Sequence, residues 1–94
     1  MHAVVGHVTI DPNRLDEAEK QLHGMVVPMV SQTKGFVSGT WSHNDATGKG
    51  VSIAMFESEE DARALVTQMQ AIGTPSDSPV ALDSVEVYRV VATA

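Results

Sequence analysis

Apolar and polar positions alternate from the first residues of the chain. His2, Val4, Gly6, Val8 and Ile10 fall on one side, Ala3, Val5, His7 and Thr9 on the other. A period of two with many Val, Ile and Thr residues predicts a strand over 1–10. Both sides are largely apolar, so this strand is expected to be central and covered on both faces. Asp11-Pro12 stops it; Asp11 suits acceptance from the first helical N–H groups and Pro12 suits the first helical position. The period then changes. Leu15, Ala18, Leu22, Met25, Val26 and Met29 recur at spacings of three and four, with Glu17, Glu19, Lys20 and Gln21 on the opposite side, the mark of an amphipathic helix. Gly24 and Pro28 weaken its second half, because proline removes a backbone donor and crowds the carbonyl four residues earlier. The helix is expected to kink or break near Gly24 and to end at Lys34-Gly35, where glycine can take the left-handed cap.

The stretch from Gly35 to Met69 is the most informative part of the pattern. Phe36–Asn44 alternates between Phe36, Ser38, Thr40 and Ser42 on one face and Val37, Gly39, Trp41 and His43 on the other. Asp45-Ala46-Thr47-Gly48-Lys49-Gly50 turns the chain, and Val51–Phe56 returns it, so the two runs form a hairpin. Ser58 is placed to cap a second helix whose first turn carries Glu59, Glu60 and Asp61, as the helix dipole favours. Its buried stripe is Ala62, Leu65, Val66, Met69 and Ile72, and Gly73-Thr74-Pro75 ends it. A loop runs to Asp83, and Val85–Ala92 is the last strand. The order βαββαβ predicts an α+β, ferredoxin-like fold: a four-stranded antiparallel sheet with two helices on one face. That plan leaves the other sheet face bare, and here it would carry Val, Ile and Met. An uncovered apolar face marks an interface, so a homodimer through the open sheet face, a dimeric α+β barrel, is expected.

The 94 residues fit one domain, 1–94. Aromatic residues are few (Phe36, Trp41, Phe56 and Tyr88), so Val, Ile, Leu, Met and Ala must build the core. The formal charge is −6 and the six Lys and Arg residues are scattered singly, which argues against nucleic acid as a partner. Cysteine is absent, so disulfides, thiolate metal sites and thiol nucleophiles are excluded. Met1-His2-Ala3-Val4-Val5 lacks the basic start and long apolar run of a signal peptide, and no apolar stretch approaches a membrane span. A soluble cytoplasmic protein without a membrane partner is the expectation.

Three segments carry a family resemblance: Val27-Pro28-Met29-Val30, Lys34-Gly35-Phe36-Val37-Ser38-Gly39-Thr40-Trp41, and Met55-Phe56-Glu57-Ser58-Glu59-Glu60-Asp61-Ala62. Through them the chain resembles the dimeric α+β barrel superfamily, in its branch of antibiotic biosynthesis monooxygenase-like proteins, over nearly its whole length. The branch includes cofactor-free oxygenases acting on quinols or anthrones, haem-degrading enzymes, and many proteins with no assigned role. The motifs are structural, so the resemblance implies the fold more strongly than an activity. Haem-degrading members carry an Asn on the first strand, a Trp at the end of the third, and a His on or just after the second helix to hold iron. The matching positions here are Gly6 and Phe56, and no His follows His43. Haem breakdown is therefore not expected, and no cofactor is implied.

Candidate chemistry rests on few residues. His7 on the first strand is the candidate catalytic base, with a pKa that burial can tune; its structural alternative is a hydrogen-bonded histidine between sheets. Trp41 and His43 share a strand face and, with His7, are candidates to line a pocket for a flat aromatic ligand; Trp41 could equally be a packing residue and His43 a solvated one. Phe56 and Tyr88 are further pocket candidates, with Phe56 or Trp41 stacking on a ring and Tyr88 or Arg89 orienting a substrate. Two histidines lack a third converging ligand, so no metal site is expected. Gly48-Lys49-Gly50 lacks the spacing and following helix of a phosphate loop. Three readings follow: a dimeric domain binding a small apolar or aromatic ligand between sheet and helices, a cofactor-independent monooxygenase acting on a quinol or anthrone-like substrate, and a non-catalytic assembly protein. A pocket of several hundred cubic ångströms with polar groups would separate the first two from the third.

Overall fold

The computed structural model describes residues 1–73 and 77–94. Four strands, β1 (His2–Ile10), β2 (Phe36–His43), β3 (Lys49–Phe56) and β4 (Val80–Arg89), form one antiparallel sheet in the order β2-β3-β1-β4. The helices are α1 (Leu15–Gln21), α2 (Val27–Ser31) and α3 (Glu59–Ile72), with α1 and α2 joined into one run by a π-helical turn at Leu22–Val26. This is the ferredoxin-like α+β plan. Among the described residues, no helix is long and apolar enough to cross a membrane.

One face of the sheet meets the helices. Register puts Val4 and Gly6 of β1 beside Ala54 and Ser52 of β3, and beside Val87 and Val85 of β4. The core gathers there from Val4, Val30, Ala54, Phe56, Ala62 and Leu65. Phe56 and Leu65 are almost wholly buried, each contributing about 1.5–3 kcal/mol of apolar burial. Phe36 meets Phe56 edge-on, with ring centroids 5.9 Å apart and planes at 76°, as aromatic quadrupoles favour.

Several local features follow the chemistry of the sequence. Ser58 caps α3, its Oγ accepting from Asp61 N at 3.1 Å, with Glu59, Glu60 and Asp61 in the first turn. Arg63 Nε donates to Glu59 Oε1 at 2.9 Å, and this hydrogen bond, with the guanidinium charge, holds the Glu59 carboxyl below its ordinary range. The break expected near Gly24 takes the form of the π-turn: Val27 N–H donates to Leu22 O, five residues back. The wider turn lies over the residues that Pro28 would crowd in a regular α-helix.

Five expectations require correction, the first being the end of the first helical run, which stops at Ser31 rather than at Lys34-Gly35. Asp11 does not cap a helix, because α1 begins at Leu15 with Arg14 at its N-cap. Asp11 instead closes a tight turn, Oδ1 accepting from Asn13 N at 3.0 Å and its carbonyl from Arg14 N at 2.9 Å. The last strand begins at Val80 rather than Val85, because β1 offers ladder partners as far as Ile10, opposite Val80. An irregularity between Phe36 and Ser38 shifts the register of β2, so Phe36 shares the helix-facing side with Gly39, Trp41 and His43 instead of standing opposite them. The central strand is covered by helices on one side only; His7 on the other side is exposed. Helix α3 ends at Ile72 with Gly73 at positive φ; Thr74 and Pro75, expected in its stop signal, lie outside the described residues.

The open sheet face carries Val5, Val51, Ile53, Met55 and Tyr88 with His7 and Thr40 among them. Val51, Ile53 and Tyr88 are 36%, 41% and 48% exposed. These are large values for apolar side chains on a sheet face.

Candidate functional site

A cavity of about 410 Å³ lies between the helix-facing side of the sheet and the helices. Its floor comes from Val4, Val8 and Ile10 of β1, Trp41 and His43 of β2, Ser52 and Ala54 of β3, and Val80 and Leu82 of β4. Its roof comes from Ala18 of α1, Leu22, Met25 and Val26 of the π-turn, Met29 of α2, and Leu65, Met69 and Ile72 of α3. The π-turn thus supplies cavity wall directly, and unbranched Met25, Met29 and Met69 give that wall adaptable side chains. The stripes that sequence periodicity assigns to the core are therefore divided, part packing and part lining open space.

Small residues on the floor make the room. A Cβ on Gly39 would come within 2.7 Å of the Trp41 ring, so Trp41 lies folded back along its strand over Gly39. The indole consequently forms a flat wall, half-buried against the core.

Polar groups collect at the rim. Glu19, Met25, Ile72 and Gly73 are lining residues open to solvent. His43 Nε2 lies 3.3 Å from Glu19 Oε1, and His43 Nδ1 lies 2.8 Å from Asp45 Oδ1. The second contact has ion-pair distance but not hydrogen-bond direction, which leaves Nδ1 buried without a directed partner. Two carboxylates against one imidazole make the rim net negative whichever proton state the imidazole takes. Among the described residues, no Lys or Arg side chain lines the cavity. The arrangement can hold a flat apolar body inside and present an imidazole and a carboxylate to its outer end.

Of the residues singled out from sequence, Trp41 and His43 meet on the cavity wall. His7 stands across the sheet from them, beside Val51 and Ser84 on the open face, so it cannot share a metal ion or a ligand with His43 in one chain. Phe56 is fully buried beneath the helices and reaches no cavity surface. Tyr88 is on the open face, its hydroxyl 3.3 Å from Glu86 Oε2. The groups that sequence reasoning missed are Glu19, Asp45 and Ser52. Glu19 lies on the polar side of a helix and Asp45 in a turn, patterns that read as solvated charge. Ser52 was placed by alternation on the same face as Ala54 and Phe56, with nothing in the sequence to show that space lies above it.

The fold that encloses this cavity is the ferredoxin-like α+β plan. Particular solved structures share it. The haem degrader MhuD of Mycobacterium tuberculosis, solved with two haems in its active site, superposes with a TM-score of 0.74 at 16% identity, covering 100% of this chain and 99% of that one. A candidate monooxygenase from Shewanella loihica gives 0.71 at 18% identity, over 98% and 95% of the two chains. The ActVA-Orf6 monooxygenase of Streptomyces coelicolor, in complex with nanaomycin D, gives 0.63 at 16% identity, over 99% and 89%. No family model and no curated protein matches the sequence. At these identities the likeness establishes the fold alone.

Proposed function

We propose that the protein binds a small, uncharged, largely apolar or aromatic molecule in the cavity between sheet and helices, and that it does so as a homodimer. The observation that carries the binding reading is the cavity itself: about 410 Å³ of apolar-walled space in a chain whose other helix-facing positions are closely packed. Pockets of this size with few polar groups are the usual form of a small-molecule site. Two of the fold relatives are ligand complexes, one with haem and one with nanaomycin D, which supports reading the space as a site. The dimer reading rests on Val51, Ile53 and Tyr88 of the open face, which a second copy would remove from water.

Trp41 is the only tryptophan and lies on the cavity wall, so intrinsic fluorescence reports occupancy directly. Titration with neutral two- and three-ring aromatics is expected to give saturable quenching or a spectral shift. Absence of any saturable response across the panel sinks the binding reading. A carboxylated analogue of a binder is expected to bind about tenfold more weakly, since its charge faces Glu19 with no cation in the lining. Equal affinity would contradict this. The same lining offers the two propionates of a haem no Lys or Arg among the described residues, and no histidine follows His43; haem degradation is not proposed.

A second reading, cofactor-independent oxygenation, is favoured by His43 at the rim. A phenol or quinol in the cavity would present its acidic proton to His43 Nε2 in place of the Glu19 contact, whereas His7 is out of reach on the other face. The substrate anion would reduce dioxygen: in an anthrone the ring methylene, CH₂, and O₂ would yield a carbonyl and water, and in a quinol a ring C–H, the two hydroxyls and O₂ would yield a hydroxyquinone and water. Oxygen uptake by the purified protein with hydroquinones and anthrones tests this, and His43→Ala is expected to lower the rate by about 10²–10⁴-fold. His7→Ala is expected to leave it unchanged. Uptake no faster than spontaneous oxidation removes the oxygenase reading and leaves ligand binding.

A further inference from the structure

Ser52 occupies the middle of the cavity floor, its neighbours in register being Trp41 on one side and Gly6 on the other. Its hydroxyl makes no hydrogen bond among the described residues, although it lines the cavity. The two other serines of the lining among the described residues are engaged with backbone: Ser42 Oγ donates to Val51 O at 3.3 Å, and Ser78 Oγ accepts from Val80 N at 3.2 Å. Open to the cavity among Val4, Val8, Ala54 and Trp41, this hydroxyl would lose its water to an apolar ligand lying over it, a cost that an acceptor on the ligand would remove. The adjoining residue keeps it free. A Cβ on Gly6 would come within 2.7 Å of Ser52 Oγ, so any side chain there would displace the hydroxyl.

We propose that Ser52 selects the ligand, donating a hydrogen bond to a carbonyl carried in the middle of an otherwise apolar ring system, and that Gly6 is the positioning residue that leaves the donor room. The inference rests on the cavity being a ligand site and adds the ligand's chemistry: an aromatic ketone rather than the parent hydrocarbon. Charge selection at the rim and carbonyl selection at the floor are separate, because Ser52 is across from Trp41 while His43 is across from Gly50.

9-Fluorenone and fluorene differ only by a carbonyl in place of a central methylene, and equilibrium dialysis measures both against the full chain. The wild-type protein is expected to bind fluorenone about five- to tenfold more tightly, the worth of one net hydrogen bond. Ser52→Ala is expected to weaken fluorenone alone and bring the ratio close to one. Gly6→Ala is expected to lower the same ratio with Ser52 still present. A wild-type ratio near one, or a ratio that survives Ser52→Ala, overturns the role of Ser52 while the cavity reading stands. Binding of neither ligand overturns both. The ratio is insensitive to a general loosening of the fold, which would weaken the two ligands alike.

Discussion

Ile53→Glu is expected to convert a dimer into a monomer of unchanged fold. Ile53 is 41% exposed at the centre of the open sheet face, beside Val5 on β1 and opposite Thr40 on β2. In the dimer proposed above this side chain would be in a dry interface. A twofold axis places every substitution in the contact twice, and each buried, unpaired carboxylate costs several kcal/mol. Even about 2 kcal/mol per copy weakens association by about 10³-fold. Sedimentation velocity at micromolar concentration should show a dimer for the wild type and a monomer for the variant. Circular dichroism should remain the same, because the substituted side chain makes no core contact. A wild-type monomer at that concentration refutes the dimer, and a dimeric Ile53→Glu protein places the contact elsewhere.

Phe56→Ala acts on the other face and should threaten folding itself. Phe56 is fully buried and packs edge-on against Phe36, which holds the start of β2 against the end of β3. Truncation of a buried phenylalanine costs about 3–5 kcal/mol, a large part of the roughly 5–15 kcal/mol that stabilises a domain. For a chain of this length the loss corresponds to a fall in Tm of about 15–30 °C. Val91→Ala, at a residue 80% exposed, should change stability by no more than about 0.5 kcal/mol. Thermal and denaturant unfolding of the two variants separates these outcomes. A drop of only a few degrees for Phe56→Ala would mean that its site collapses and refills, contrary to the tight packing described.

The structure gives the sheet two different faces, one packed against the helices and lining the cavity, the other open and apolar. Much of that division was legible in residue order. Alternation along β3 separates Val51, Ile53 and Met55 from Ser52, Ala54 and Phe56, and the ladder confirms those sides. Ser58 and the acidic residues after it announced the start of α3, and Gly24 with Pro28 announced the interruption of the first helical run. These signals are local: a cap, a turn and a period each act over a few residues. Local signals failed where pairing partners decide. Val80 to Asp83 read as loop beside Pro79, yet β1 draws them into the sheet. Phe36 was assigned the wrong side because one irregularity in the ladder reverses the alternation.

The sequence by itself determined the order of elements, the α+β class and the face to which most side chains belong, since periodicity and end signals are properties of short segments. Only the tertiary structure decided which apolar residues pack and which line open space. Met25, Met29 and Met69 look like core in any periodicity plot, but the distance between sheet and helices makes them walls of a cavity. It also decided the chemistry of that cavity. Glu19, His43 and Asp45 come from a helix, a strand and a turn. Ser52 is left without a partner because the residue opposite is Gly6. Such meetings depend on how distant segments are placed against one another, and no spacing along the chain records them.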